Sequence, residues 1–182
     1  EWKVIALGDS HISVVMSAIA AAQESAGVVQ WSYSGCPFIL GMKINRVNVG
    51  KLGSDYQCEG FVEWAKSQLA ILPPQLPVVM LNRYASQAFG LNEINSASER
   101  PRVYFSKIHH RTSPEFLEEF GEHIVDTTCE IAKQRRVYLV RPIPEMGFDV
   151  PKTLSRRLAL GLREEVSIPI EDYRKRNQWV WA

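Results

Sequence analysis

The chain has 182 residues, 46% of them hydrophobic and 23% charged, with a formal net charge of +1. This length suits one domain with a sizeable core, and the composition is that of a globular fold. So small a charge gives no strong field for nucleic acid, and no stretch is long and apolar enough for a transmembrane helix. The basic clusters Arg156-Arg157 and Arg174-Lys175-Arg176 are short, fall on expected helices and read as solvated faces. Glu1 stands two residues before a core strand, and Trp179-Val180-Trp181-Ala182 is an apolar run without a polar cap. Both ends read as cut, so residues 1–182 are expected to form a single domain incomplete at its C-terminus.

In chain order, Lys3 to Leu7 reads as a buried strand, and an alanine-rich helix follows from Ile12 to about Ala26, with Gly27 as its C′ residue. Val28 to Tyr33 reads as a second strand. Ser34 to Gln57, with Gly35, Pro37, Gly41, Gly50 and Gly53, reads as a long irregular loop of the kind that is functional or tied down. Glu59 to Leu72 is a predicted helix with Phe61, Trp64, Ala65 and Leu69 near one face, ended by Pro73-Pro74. Pro77 to Leu81 is a third strand, and residues 85–112 are polar and poorly periodic, an expected rim or insertion. Ser113 and Pro114 then mark a helix start, and Phe116, Leu117, Phe120, Ile124, Thr128 and Ile131 repeat at helical spacing. Arg136 to Val140 is a fourth strand, followed by short helices over Pro151 to Leu160 and Glu171 to Trp181. Strands alternating with helices predict a parallel sheet covered on both faces. Right-handed crossovers gather the strand ends on one edge, where the loops bearing Ser10, Gly35 and Asn82-Arg83 converge.

The chemistry is concentrated at Gly8-Asp9-Ser10-His11, where the first strand ends and the first helix begins. Gly8 permits the sharp turn. A serine there sits among free backbone N–H groups and the helix dipole, a setting suited to a nucleophile that generates an oxyanion. The competing reading is an ordinary helix cap made by Asp and Ser. The backbone N–H groups of Ser10 and Gly35 are candidate oxyanion donors, and Asn82 and Arg83 offer side-chain donors. Arg83 has the alternative of pairing with a carboxylate. Of the histidines, His11 points away along the helix start, His109 and His110 lie in the polar linker, and His123 falls on a helix face expected to be solvated. None stands in an Asp-x-x-His pattern at a strand end, so the general base is expected to lie outside this chain. Cys36 and Cys58 flank the long loop and are either bridged or two buried thiols; with Cys129 they do not space as a zinc site.

These residues carry a family resemblance. Gly8-Asp9-Ser10 resembles the first block of the SGNH hydrolases, also called GDSL-like esterases. Leu7-Gly8-Asp9-Ser10-His11 is closer to one branch, the extracytoplasmic SGNH domain fused behind the membrane-embedded acyltransferase-3 domain of bacterial surface-polysaccharide O-acyltransferases. Ser34-Gly35-Cys36-Pro37, Val78-Val79-Met80-Leu81-Asn82-Arg83-Tyr84 and Val140-Arg141-Pro142-Ile143-Pro144-Glu145-Met146 are similar to later blocks of that branch, in order over about residues 4–176.

The resemblance implies a three-layer α/β/α sandwich with a mostly parallel, flavodoxin-like sheet and no metal or other cofactor. It implies Ser10 as the acyl-accepting nucleophile, the N–H groups of Ser10 and Gly35 as the oxyanion hole, and Asp9 as an orienting residue rather than the triad acid. Where the wider family has Gly-x-Asn-Asp, this chain has Leu81-Asn82-Arg83-Tyr84, which leaves the third donor to Asn82 or Arg83. The family's Asp-x-x-His block does not occur in these residues. The implied function is acyl transfer, acetyl first, to a hydroxyl of a lipopolysaccharide O-antigen or another envelope glycan. An upstream acyltransferase-3 domain would deliver the acyl group at the periplasmic or extracytoplasmic face, a location that suits a Cys36–Cys58 disulfide. A stand-alone glycan esterase and a non-catalytic glycan-binding module are the alternatives.

Overall fold

The structure, a computed structural model, describes residues 1–22, 27–46, 57–92, 100–162 and 166–180. Gly50 and Gly53 of the long loop, the expected helix end at Ala26, and Trp181 lie outside the described residues. The central feature is a parallel sheet of four strands in the order β2-β1-β4-β6, where β1 is Trp2–Gly8, β2 Gly27–Ser32, β4 Val78–Leu81 and β6 Val137–Leu139. Val4 to Gly8 are all buried, as expected of a central parallel strand covered on both faces.

Alternation of side chains along these strands builds two cores. Ile5, Leu7, Val78 and Met80 face one layer, where they pack with Val62, Ala65 and Leu69 of α3 (Cys58–Ile71) and Ile131 of α5 (Pro114–Ala132). Ala6 and Leu81 face the other, against Ile12 of α1 (Ser10–Val14) and Met16 and Ile19 of α2 (Met16–Ala21). The α/β/α sandwich expected from the sequence is therefore observed. A third cluster sits beyond the sheet, where Tyr84 and Ala88 of α4 (Tyr84–Phe89) meet Phe116, Phe120 and Ile124 of α5. Helices α6 (Val150–Ala159) and α7 (Ile170–Asn177) complete the described elements, with a 3-10 turn over Gln178–Val180.

Several sequence expectations are corrected. The first helix is broken: Val15 ends α1 after five residues, where two β-branched valines adjoin and the Val15 N–H bonds the Ile12 carbonyl one residue short of α spacing. Gly27 is no helix cap. It opens β2, its N–H donates to the Glu1 carbonyl, and a side chain there would press on the Trp2 ring. Residues 85–112 are more than a polar rim. They hold α4, whose Tyr84 through Ala88 are buried, and the short strand β5 (Val103–Tyr104), which pairs antiparallel with β3 (Lys43–Ile44) inside the long loop. The polar atoms of Ser86 and Gln87 hid this helix, because both bond inward rather than to water. Trp64 projects outward at 47% exposure, and Val62 takes its expected place in the core. On α5 the buried position is Thr127 rather than Thr128, its hydroxyl accepting from the Leu40 N–H.

Cys36 and Cys58 form a disulfide, with Cα atoms 5.2 Å apart and a sequence separation of 22. It fastens the loop after β2 to the start of α3. Closing a loop of that length restricts the unfolded chain by about 3 kcal/mol. The Cys36→Ala/Cys58→Ala double variant is accordingly expected to melt about 10 °C lower than the oxidised protein in a thermal scan. An unchanged melting temperature would remove the bridge from the stability of the fold.

Candidate active site

Three loops meet at the carboxyl edge of the sheet, and one side chain ties them together. Asn82, directly after β4, is fully buried. Its Oδ1 accepts from the Asp9 N–H of the loop after β1 at 3.1 Å and from the Phe38 N–H of the loop after β2 at 3.1 Å. Its Nδ2 donates to the Tyr84 hydroxyl at 2.9 Å. Burial pushes the Tyr84 phenol well above its ordinary range, so it stays protonated. The two backbone donors fix which way the amide faces. A loss of this side chain would leave two buried N–H groups without partners, which costs more than a hydrogen bond is worth.

Asp9 completes the frame. It is 1% exposed; Oδ1 accepts from the His11 N–H at 2.8 Å and Oδ2 from the Arg83 N–H at 2.7 Å. One carboxylate thus caps α1 and binds the strand-four loop at once. Ser10 stands between Asp9 and His11 as the first residue of α1, and it is exposed. Its N–H has no acceptor within its own helix, as holds for every first-turn residue. Gly35, in the loop after β2, has φ +72°, a backbone region that side-chain-bearing residues rarely enter. Its carbonyl accepts from Gln87 Nε2 at 3.1 Å, which fixes the plane of the peptide that follows. The convergence of the Ser10, Gly35 and Asn82-Arg83 loops is therefore observed. With α1 only five residues long, the dipole of a long first helix is absent, and what remains is the Ser10 N–H, because the His11 and Ile12 N–H groups are bound to Asp9.

Arg83 takes a carboxylate partner. Its Nε donates to Glu145 Oε1 at 2.7 Å, and Arg176 holds the other oxygen, Oε2, through Nε at 2.9 Å and Nη2 at 2.7 Å. Arg176 also donates to the Gly90 carbonyl and lies over the Phe89 ring. The solvated-face reading of the Arg174-Lys175-Arg176 run thus fails at Arg176, which is drawn inward by a buried acid. Glu145, 7% exposed, was visible in the sequence only as part of a motif block, because an acid in an irregular Pro-rich segment carries no periodicity. A cleft of about 970 Å³ borders these residues, and its lining includes His11, Arg83 and residues of α6.

No histidine among the described residues bonds the Ser10 hydroxyl. His11 Nδ1 lies 3.3 Å from Asp9 Oδ1. His109 is buried against Phe116, 3.6 Å from Glu119. His123 is not on a solvated face: it is half-buried, stacked on Phe105 with ring centres 4.0 Å apart, and bonded through Nδ1 to the Leu40 carbonyl. Among the described residues there is no group of histidine, cysteine and acidic side chains that could hold a metal ion. No helix among them is long and apolar enough to cross a membrane.

Comparison with known proteins agrees with this geometry. The family model described as an SGNH domain fused to AT3 domains matches residues 2–182. No match was found among curated proteins or among solved structures. The match spans nearly the whole chain and includes the Ser10 turn at the edge of a parallel sheet. The chain belongs to the SGNH domain family of the type fused to AT3 domains, a membership that implies O-acyltransferase or esterase-like activity.

Proposed function

We propose that this domain transfers an acyl group, acetyl first among candidates, to a hydroxyl of a cell-envelope polysaccharide such as a lipopolysaccharide O-antigen, through an acyl-Ser10 intermediate. The observation that carries the reading is the placement of Ser10: exposed at the end of the central strand, in a turn clamped by Asp9, Asn82 and the backbone of Arg83. In this account the acyl donor arrives from an acyltransferase-3 membrane domain of the same protein, at the extracytoplasmic face. The Cys36–Cys58 bond supports that location, because disulfides persist in oxidising compartments.

Ser10 Oγ attacks the acyl carbonyl while a base takes its proton. The oxyanion that forms accepts hydrogen bonds from the N–H groups of Ser10 and Gly35. Asn82 is spent on internal partners, which leaves Arg83 as the side-chain donor at this edge: Nε is bound to Glu145, and the terminal nitrogens have no hydrogen-bond partner among the described residues. Collapse breaks the bond to the leaving group, which departs with the proton. The sugar hydroxyl then gives its proton to the base and attacks acyl-Ser10, forming the sugar ester and restoring the serine. The acid and histidine of the triad are expected from the family's Asp-x-x-His block, since no histidine among the described residues bonds the Ser10 hydroxyl.

Transfer and hydrolysis share every residue and differ in what attacks acyl-Ser10. The test supplies 4-nitrophenyl acetate to the native full-length protein with and without an oligosaccharide acceptor. Acetylated sugar is expected to form at the expense of free acetate. Acetate as the sole product, whatever acceptor is offered, would make the domain an esterase.

A further inference from the structure

We propose that the cleft bordered by His11, the residue after Ser10, receives an acceptor glycan that bears an anionic group, a carboxylate or a phosphate, close to the hydroxyl that is acylated. The inference rests on the reading of Ser10 as acyl carrier and adds the class of acceptor. Its ground is the charge of the cleft wall that α6 and Arg83 supply. The cleft is lined by Arg83, Lys152, Arg156 and Arg157, against the carboxylates of Glu145 and Asp149.

The rim stays positive, its basic residues outnumbering its two acids. Glu145 is gripped by two guanidiniums at once, Arg83 and Arg176, so the trio keeps a net positive charge in a half-buried position. Asp149 stands at the N-terminus of α6, where its Oδ1 accepts from the Lys152 N–H as a helix cap. Lys152 and Arg156 are one turn apart on α6 and both exposed, so their charged ends share one face of the cleft. A concave wall of one sign concentrates oppositely charged ligands, and Arg and Lys are the side chains that bind carboxylate and phosphate oxygens. The volume, about 970 Å³, is that of clefts that take small organic ligands. His11, which also lines the cleft, adjoins Ser10 in the chain, and the Arg83 backbone is bound to Asp9. An anion seated on α6 therefore shares the cleft with His11, the chain neighbour of the nucleophile.

The experiment measures binding, which needs no acyl-enzyme and no base. Methyl glucoside, methyl glucuronoside and glucose 1-phosphate are titrated into the native full-length protein at low and at physiological salt, with saturation-transfer signals of the sugars as readout. At least one anionic sugar is expected to bind about tenfold or more tightly than methyl glucoside, with the advantage shrinking as salt rises. Which of the two binds identifies the anion as a carboxylate or a phosphate. Lys152→Ala/Arg156→Ala, on an exposed helix face, is expected to keep the fold by circular dichroism and to lose most of that advantage. Equal binding of all three sugars would overturn the proposal, and so would an advantage that survives the double variant. Loss of the acyl-serine reading would show elsewhere, as esterase turnover independent of Ser10, and would leave the binding result as it stands.

Discussion

Ser10→Ala is expected to lower acyl-ester turnover by about a thousandfold or more in the native full-length protein. The hydroxyl is the only atom lost, and the Asp9–Asn82–Arg83 frame does not depend on it: among the described residues no partner bonds the Ser10 side chain. Melting behaviour should therefore stay close to that of the parent, since exposed positions without structural partners change stability little. A large loss of rate with an intact fold is the signature of a nucleophile. A merely capping serine would give the reverse, a lower melting temperature with the rate untouched, although the cap of α1 is already made by Asp9.

An effect on the fold as large as that of the disulfide is expected at Gly8. A Cβ placed there would stand 2.0 Å from the Leu81 carbonyl oxygen and 3.0 Å from Asn82 Oδ1. The first is backbone of the neighbouring strand and cannot swing aside as a side chain would. Gly8 pairs with both Leu81 and Ser32, so relief of the clash must separate the ends of β1 and β4. Gly8→Ala is expected to cost about 3 kcal/mol, the upper end for overpacking a close contact, and to lower the melting temperature by about 10 °C. The same displacement would pull Asn82 away from the Asp9 and Phe38 N–H groups, so the surviving folded protein should also lose turnover. A variant with parent-like midpoint and rate would show that the strand ends are not in close contact.

The two glycines of the site thus act differently. Gly8 is small because another backbone passes beside it, whereas Gly35 is needed for its positive φ. Both positions were legible as chemistry in the sequence, because a glycine at a strand end before a serine or a Cys-Pro pair is a local signal. The parallel sheet was legible for a similar reason: four short aliphatic runs separated by helical patterns admit few arrangements. Asn82 was found by its place at a strand end. Its task as a bridge between loops was not, because Phe38, its second backbone partner, is 44 residues away in the chain.

What stayed hidden shares a physical cause, namely polar atoms that are satisfied inside the protein. Gln87 donates to the Gly35 carbonyl and Ser86 to the Arg83 carbonyl, so a buried helix wore the composition of a loop. Arg176 wore that of a solvated face while sharing a buried acid with Arg83 across 31 residues on one side and 62 on the other. Such pairings depend on distance in space, and a pattern read along the chain carries no trace of them. The histidines show the same limit: His123 sits on a helix, yet its ring is held between Phe105 and the Leu40 carbonyl.

The most direct test of the account is the intact mass of the native full-length protein quenched in acid during turnover of 4-nitrophenyl acetate, followed by peptide mapping. The account predicts one added acetyl group, located on the peptide that contains Ser10 and absent from Ser10→Ala. An acetyl group on any other residue, or turnover without an acylated protein, would contradict it.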